Sequence, residues 1–168
     1  LDANATTQVL PQAATAALST METLFGNPSS SHVTGLQAKQ IVDKTRQQAK
    51  NIIGAGDGKL IFTSGATEGI QTAILSGLVH AKKTLDITKS YSILYGATEH
   101  KAVPESLKHW NEILEINAEI KAIPVDAFGR LDLDFIAKEV PNALMICTMA
   151  VNNETGVYQD LKLLDQTI

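Results

Sequence analysis

The chain has 168 residues, of which 44% are hydrophobic and 19% are charged, and its formal net charge is −4 at pH 7. This balance is typical of a globular protein that buries a sizeable core, and it excludes disordered and fibrous classes. The negative net charge provides no electrostatic attraction to nucleic acid or to an anionic membrane, so we expect neither as a partner.

Compartment and metal content are also constrained by composition. Cys147 is the single cysteine, so an internal disulfide is excluded and a reducing compartment is favoured. No apolar run approaches the roughly 18 residues of a membrane span, and no basic segment precedes an apolar one as in a signal peptide. We therefore expect a cytoplasmic protein. The 4 histidines lack metal-ligand spacing, so we expect no metal site.

The first half of the chain shows three helical patterns and one short apolar run. A helix is predicted from about Pro11 to Leu24, and a longer one, with apolar residues from Ala38 to Ile53 on one stripe, is expected to end at Gly54. The run Leu60-Ile61-Phe62 is interpreted as a buried strand. A third helix follows directly, with one apolar face that comprises Ile70, Ala73, Ile74, Gly77 and Leu78.

The second half alternates strand and helix patterns. Strands are predicted at Tyr91–Tyr95, at Ile120–Val125 and, as a long central strand, at Ala143–Val151. Helices are predicted from about 104 to 114, from a cap at Asp132 or Asp134 to about 140, and from Leu161 onward. This alternation predicts an α/β fold, a three-layer sandwich with a mostly parallel sheet.

Ligands of parallel α/β sheets bind beyond the carboxyl ends of the strands, and three segments occupy such positions. The first is Thr63-Ser64-Gly65-Ala66-Thr67-Glu68, where small residues lead into a helix start. Free N–H groups and the helix dipole favour a phosphate there, with hydroxyls of Ser64 and Thr67 as further donors. An ordinary helix cap, with one of those hydroxyls bonded to its own backbone, explains the same residues.

The other two segments follow later strands. His100, in Ala97-Thr98-Glu99-His100-Lys101, is suited to stack on an aromatic ligand or to move protons, and equally to cap a helix. The amides of Val151-Asn152-Asn153-Glu154-Thr155-Gly156 can orient a ligand, or form a plain turn that ends at Gly156. Cys147 lies inside a predicted strand, where a buried apolar role is expected.

Taken in order, five segments resemble the signatures of NifS/IscS-type cysteine desulfurases, which are class V aminotransferase-like enzymes of fold type I. The segments are Leu1 to Thr7, Phe25 to His32, Phe62 to Glu68, Thr98 to Val103 and Val151 to Gly156. The resemblance implies a pyridoxal 5'-phosphate enzyme that converts L-cysteine to L-alanine and passes the sulfur on as an enzyme persulfide. It further implies a homodimer, with a sulfur-acceptor or scaffold protein in iron–sulfur cluster or thio-cofactor assembly as its partner.

The resemblance also assigns residues. Ala66 and Thr67 would hold the cofactor phosphate, His100 would stack on the pyridine ring and assist catalysis, and Asn153 would bond the phenolic oxygen. Residues 4–7 and 27–32 would lie near the substrate entrance. Residues 1–10 would form an N-terminal arm of the small domain, and residues 11–168 part of the cofactor-binding large domain.

Some family features have no match in these residues. The family's aspartate partner of the pyridine nitrogen, its Schiff-base lysine and its catalytic cysteine lie in later segments, so we expect this stretch alone to be inactive. Lys101 and Cys147 do not match those positions. A selenocysteine lyase, an aminotransferase or an inactive paralogue that acts as a binding module would share the cofactor-binding motifs. A nucleotide-binding α/β protein is the most distant alternative.

Overall fold

The computed structural model describes residues 2–3, 5–86 and 88–168. The chain divides into two compact units, one formed by Thr63–Ile168 with the first residues of the chain and the other by Asn4–Phe62. The predicted boundary between an arm at 1–10 and a large domain at 11–168 stays a prediction.

The Asn4–Phe62 unit contains two helices, α1 (Pro11–Thr23) and α2 (Val33–Ile53). Both predicted ends are confirmed: Pro11 occupies the first turn of α1, and Gly54 closes α2 with a φ of 67°, a left-handed conformation that favours glycine. His32 caps α2, since its Nδ1 accepts the N–H of Gly35 at 3.3 Å.

The strand predicted at Leu60-Ile61-Phe62 is wrong. These residues lie outside any strand, and Ile61 and Phe62 are 72% and 53% exposed. Three residues offer few ladder hydrogen bonds, and here the run is held instead by one side chain of α2. Arg46 donates from Nε to the Leu60 carbonyl at 3.0 Å and lies 5.7 Å from the Phe62 ring centroid.

The other unit is built on a parallel sheet of three strands in the order β2-β1-β3. The strands are β1 (Ser92–Gly96), β2 (Glu119–Ile123) and β3 (Ala143–Cys147). The helices are α3 (Ala66–Lys82), α4 (Ala102–Ile113), α5 (Leu133–Glu139) and α6 (Leu161–Thr167), and a 3₁₀ turn at Val140–Asn142 follows α5. Asp132, rather than Asp134, caps α5 by accepting the Phe135 N–H at 2.9 Å.

Two apolar clusters place helices on both faces of the sheet. Ile93 of β1 packs with Ile74 and Leu78 of α3 and with Val103 and Leu107 of α4. Its neighbour Leu94 points to the opposite face and packs with Ile123, Ile136 of α5 and Leu164 of α6. Because successive strand residues face opposite sides, this arrangement confirms the three-layer sandwich.

The third strand differs from its prediction in length and position. It ends at Cys147 instead of Val151, and β1, not β3, is central among the described strands. All five residues of β3 are only partly buried, because one of its edges lacks a partner strand in this part of the structure. None of the helices in the described residues is long and apolar enough to cross a bilayer.

Candidate functional site

The N-terminus of α3 presents a group of backbone donors. Among the described residues, the N–H groups of Ala66, Thr67 and Glu68 have no hydrogen-bond partner, whereas the Gly69 N–H bonds to the Gly65 carbonyl at 3.2 Å. A Cβ added to Gly65 would meet no atom within 4 Å, so a ligand can approach this backbone closely. Unpaired N–H groups at the positive end of a helix dipole are suited to an anion.

Ser64 bonds to Glu68 and does not cap the helix. Glu68 Oε2 accepts both the Ser64 N–H and the Ser64 hydroxyl at 2.6 Å, and these bonds lower the pKa of the Glu68 carboxyl. Ser64 therefore donates to Glu68 and leaves the N–H groups of the next residues free. Thr67 Oγ1 has no hydrogen-bond partner among the described residues, so the ordinary cap considered from the sequence is not formed.

A cleft of about 550 Å³ brings Thr67 and His100 to the same place. It lies between the first turns of α3 and α4. Its lining residues are Thr67, Gln71, His100, Lys101, Ala102, Glu105, Ser106 and His109. Two residues assigned from separate sequence motifs thus line one cavity, and Lys101 lines it with them.

His100 is oriented by the start of α4. Its Nδ1 accepts the backbone N–H of Ala102 at 3.1 Å, and its ring is exposed. The helix-cap role considered from the sequence is therefore real, and it is compatible with ligand binding. With Nδ1 engaged as an acceptor, Nε2 is the ring nitrogen that remains to exchange a proton with a ligand.

The loop after β3 carries two adjacent asparagines with different partners. Asn152 is buried and donates from Nδ2 to the Thr98 carbonyl at 2.9 Å, in the loop that carries His100. Asn153 is half-buried and donates from Nδ2 to Asp2 Oδ2 at 2.7 Å. An amide nitrogen has two hydrogens, so among the described residues one N–H of Asn153 remains for a ligand. The structure does not place Asn153 in the lining of the cleft with Thr67 and His100.

Glu99 makes a second connection between the two loops. Its Oε1 accepts the Met149 N–H at 2.5 Å. Burial raises the pKa of the Glu99 carboxyl, and the hydrogen bond from Met149 offsets part of that rise. The carboxylate thus supports the base of the site beside the exposed His100.

Cys147 has the properties of a structural thiol. Burial raises its pKa to about 11, and the charge of the Glu99 carboxylate adds to that rise. Since the thiolate is the nucleophilic form, Cys147 is poorly reactive at neutral pH. This agrees with the apolar role expected from the sequence.

Sequence reasoning missed the contributions of Glu99 and of the Asn152 side chain. Each partner lies far along the chain, from Glu99 to Met149 and from Asn152 to Thr98. The sequence contains only a weak indication of these roles: Glu99 precedes His100 and Asn152 precedes Asn153, so each polar residue is the neighbour of an assigned site residue. Among the described residues, no three His, Cys, Asp or Glu side chains come together as a metal site.

Comparisons with known proteins identify the family of the chain. The family model of class V aminotransferases matches residues 1–168. The IscS cysteine desulfurase of Haemophilus influenzae is 38% identical over 88% of this chain and 35% of its own length. The mitochondrial cysteine desulfurase of Candida albicans is 37% identical over 96% of this chain and 32% of its own.

Solved structures show the same relationship. A NifS-like protein superposes with a TM-score of 0.86 at 28% identity, over 99% of this chain and 44% of that one. DndA from Streptomyces lividans superposes with a TM-score of 0.74 at 34% identity, over 99% and 45%. The chain spans about a third of the length of the curated relatives that it matches.

The unit built on the parallel sheet thus has the α/β fold of the large domain of fold type I enzymes. The chain belongs to the class V aminotransferase family, whose cysteine desulfurase members use pyridoxal 5'-phosphate. The residues fit that cofactor: free N–H groups and a threonine hydroxyl suit its phosphate, and an exposed imidazole suits its ring.

Proposed function

We propose that this chain supplies the phosphate- and ring-binding part of a cysteine desulfurase. The observation that carries the proposal is the meeting of Thr67 and His100 in one cleft, beside the free N–H groups that begin α3. The relatives described above as cysteine desulfurases support this choice of reaction over an aminotransferase or a selenocysteine lyase.

Each assigned residue has a distinct task in this proposal. The N–H groups of Ala66 and Thr67, with the Thr67 hydroxyl, hold the phosphate of pyridoxal 5'-phosphate. His100 stacks on the ring, kept in orientation by its bond from the Ala102 N–H, and exchanges a proton at Nε2. The second N–H of Asn153 bonds the phenolic oxygen. When bound, the cofactor supplies an electron sink for the amino-acid substrate.

L-cysteine is the proposed substrate, and L-alanine and a persulfide are the proposed products. A structural relative described as SspA in complex with cysteine, 25% identical with a TM-score of 0.76, supports the substrate. The persulfide forms on a thiolate elsewhere in the complete enzyme, because Cys147 is partly buried and its pKa is raised. The segments that would carry the Schiff-base lysine and that thiolate have no match here, so the 168 residues alone should release no alanine.

The remaining family properties are proposals of the same kind. We expect a cytoplasmic homodimer that passes sulfur to an acceptor or scaffold protein for iron–sulfur cluster or thio-cofactor assembly. Relatives described as mitochondrial show that the compartment varies among similar proteins.

The experiment that tests the proposal is a cofactor titration of the complete natural polypeptide that contains these residues. Thr67→Ala removes one hydroxyl donor to an anionic group, and we expect the dissociation constant of pyridoxal 5'-phosphate to rise about tenfold. Thr72→Ala is the matched control. Thr72 lies on the same helix, but its hydroxyl bonds to the Glu68 carbonyl at 2.8 Å. The dissociation constant of pyridoxal 5'-phosphate in Thr72→Ala should therefore stay within about twofold of the wild-type value.

Release of alanine from L-cysteine, measured with the same protein, tests the reaction. Unchanged affinity in Thr67→Ala would refute the phosphate site. A wild-type enzyme that binds the cofactor but yields a keto acid instead of alanine would refute the desulfurase reaction.

A further inference from the structure

One of the two side-chain links between the loop after β1 and the loop after β3 is a buried amide. Asn152 is 8% exposed although it lies in a turn, and its side chain reaches the loop that carries His100. Burial of an amide is unfavourable unless its polar atoms are bonded, so a buried asparagine in a turn needs a structural reason.

The side chain of Asn152 uses both of its ends. Oδ1 accepts the N–H groups of Glu154 and Thr155 at 3.0 and 2.9 Å, which ties the amide to its own turn. Nδ2 donates to the Thr98 carbonyl at 2.9 Å, across to the other loop. One side chain therefore bonds to both loops at once.

The backbone of Asn152 is held as firmly as its side chain. Its N–H donates to the Val157 carbonyl at 2.9 Å, and its carbonyl accepts the Gly156 N–H at 2.9 Å. Asn153 thus directly follows a residue whose backbone N–H, backbone carbonyl and side chain are all hydrogen-bonded. Thr98, at the other end of the link, lies two residues before His100.

We propose that Asn152 is a positioning residue that holds the His100 loop in register with Asn153. The inference rests on the proposed function, since His100 and Asn153 matter together only if both contact the same cofactor. Glu99 makes a parallel link to the Met149 N–H, and Asn152 makes the link whose far end is directly beside Asn153. Asn152 acts through the two loops and not by contact with the cofactor.

Two variants of the complete polypeptide test the inference. Asn152→Ala removes all three bonds. Asn152→Asp keeps the acceptor for the N–H groups of Glu154 and Thr155. It replaces the donor to Thr98 with a carboxylate oxygen that repels the Thr98 carbonyl, so it breaks the link between the loops while the turn stays bonded. The readouts are the dissociation constant of pyridoxal 5'-phosphate and the visible circular dichroism of the bound cofactor, which reports the orientation of its ring.

We expect both variants to weaken cofactor binding about tenfold and to reduce the dichroism of the bound form. If Asn152→Ala fails to fold, as judged by urea unfolding, Asn152→Asp decides the result. Wild-type affinity and dichroism in a folded Asn152→Asp protein would overturn the proposal.

Gln159→Ala is the matched control for a merely structural effect. Gln159 is also 8% exposed, and its amide joins two segments by donating to the Gly129 carbonyl at 2.9 Å and accepting the Leu131 N–H at 3.1 Å. We expect it to lower stability while cofactor affinity stays within about twofold. An equal loss of affinity in Gln159→Ala would overturn the proposal.

The same titrations separate the two levels of inference. If the wild-type protein binds no pyridoxal 5'-phosphate, or Thr67→Ala leaves affinity unchanged, the proposed function fails. If both behave as expected and the Asn152 variants match wild type, the positioning role alone fails.

Discussion

Leu78 anchors α3 to the sheet with a side chain that is 0% exposed. It belongs to the apolar cluster that also contains Ile93 of β1 and Leu107 of α4. Because α3 begins at the candidate phosphate site, this contact holds the helix that carries Thr67. Leu78→Ala removes three carbon atoms from the cluster.

The expected cost follows from the burial of Leu78. Loss of the carbons from a fully buried position is worth about 2.4 kcal/mol at ~0.8 kcal/mol per CH₂. The cavity left behind adds to this value when its neighbours cannot collapse into it. Here those neighbours belong to regular elements on two sides, so we expect the free energy of unfolding to fall by about 4 kcal/mol.

Urea unfolding of the complete polypeptide, followed by far-UV circular dichroism, measures this change. Val79→Ala is the control, since Val79 is the next residue of the same helix and is 38% exposed. Its expected loss is about 1 kcal/mol or less. Equal losses in the two variants would refute the packing of α3 described here.

Two further predictions concern Glu99, in the loop after β1, and Cys147, the last residue of β3. Because burial raises the pKa of Glu99 above its ordinary 4.5, its contribution to stability is complete below that pH and is lost as pH rises through the folded-state pKa. Glu99→Gln keeps an acceptor for the Met149 N–H but does not titrate. Its free energy of unfolding relative to wild type, measured in urea, should therefore rise between pH 4 and pH 8. A difference that stays constant with pH would contradict this. Cys147 has a pKa of about 11, so at pH 8 it should react with iodoacetamide far more slowly in the folded protein than in urea. Mass spectrometry of its peptide measures the labelling. Equal labelling of the folded and the unfolded protein would contradict the prediction.

Local patterns predicted most of the secondary structure, because they depend on neighbours in sequence. The apolar stripe of α3 predicted that Ile74 and Leu78 would be buried, and Gly54 was predicted to end α2. Each is a matter of helical period or of one backbone conformation. For the same reason, Ala66 and Thr67 could be assigned to a helix start from sequence alone.

Features that depend on distant partners could not be predicted in this way. An apolar run is compatible with a central strand, an edge strand or an extended segment, and Leu60–Phe62 and Ala143–Val151 were both misjudged on that point. The bond from Asn152 to Thr98 requires that β3 lie next to β1, and the strand order is not encoded in either segment. The assignment of Asn153 and His100 to one cofactor needed the family resemblance.

The order of the strands has a consequence for chain entropy. Ser92 of β1 pairs with Glu119 in one neighbour and with Ala143 in the other, so the second pairing closes a loop roughly twice as long. Each doubling of loop length adds about 0.6 kcal/mol to the entropy of closure. The loops after β1 and β3 are brought together by that longer closure. The links from Asn152 and Glu99 therefore stabilise the strand pairing that has the larger entropic cost.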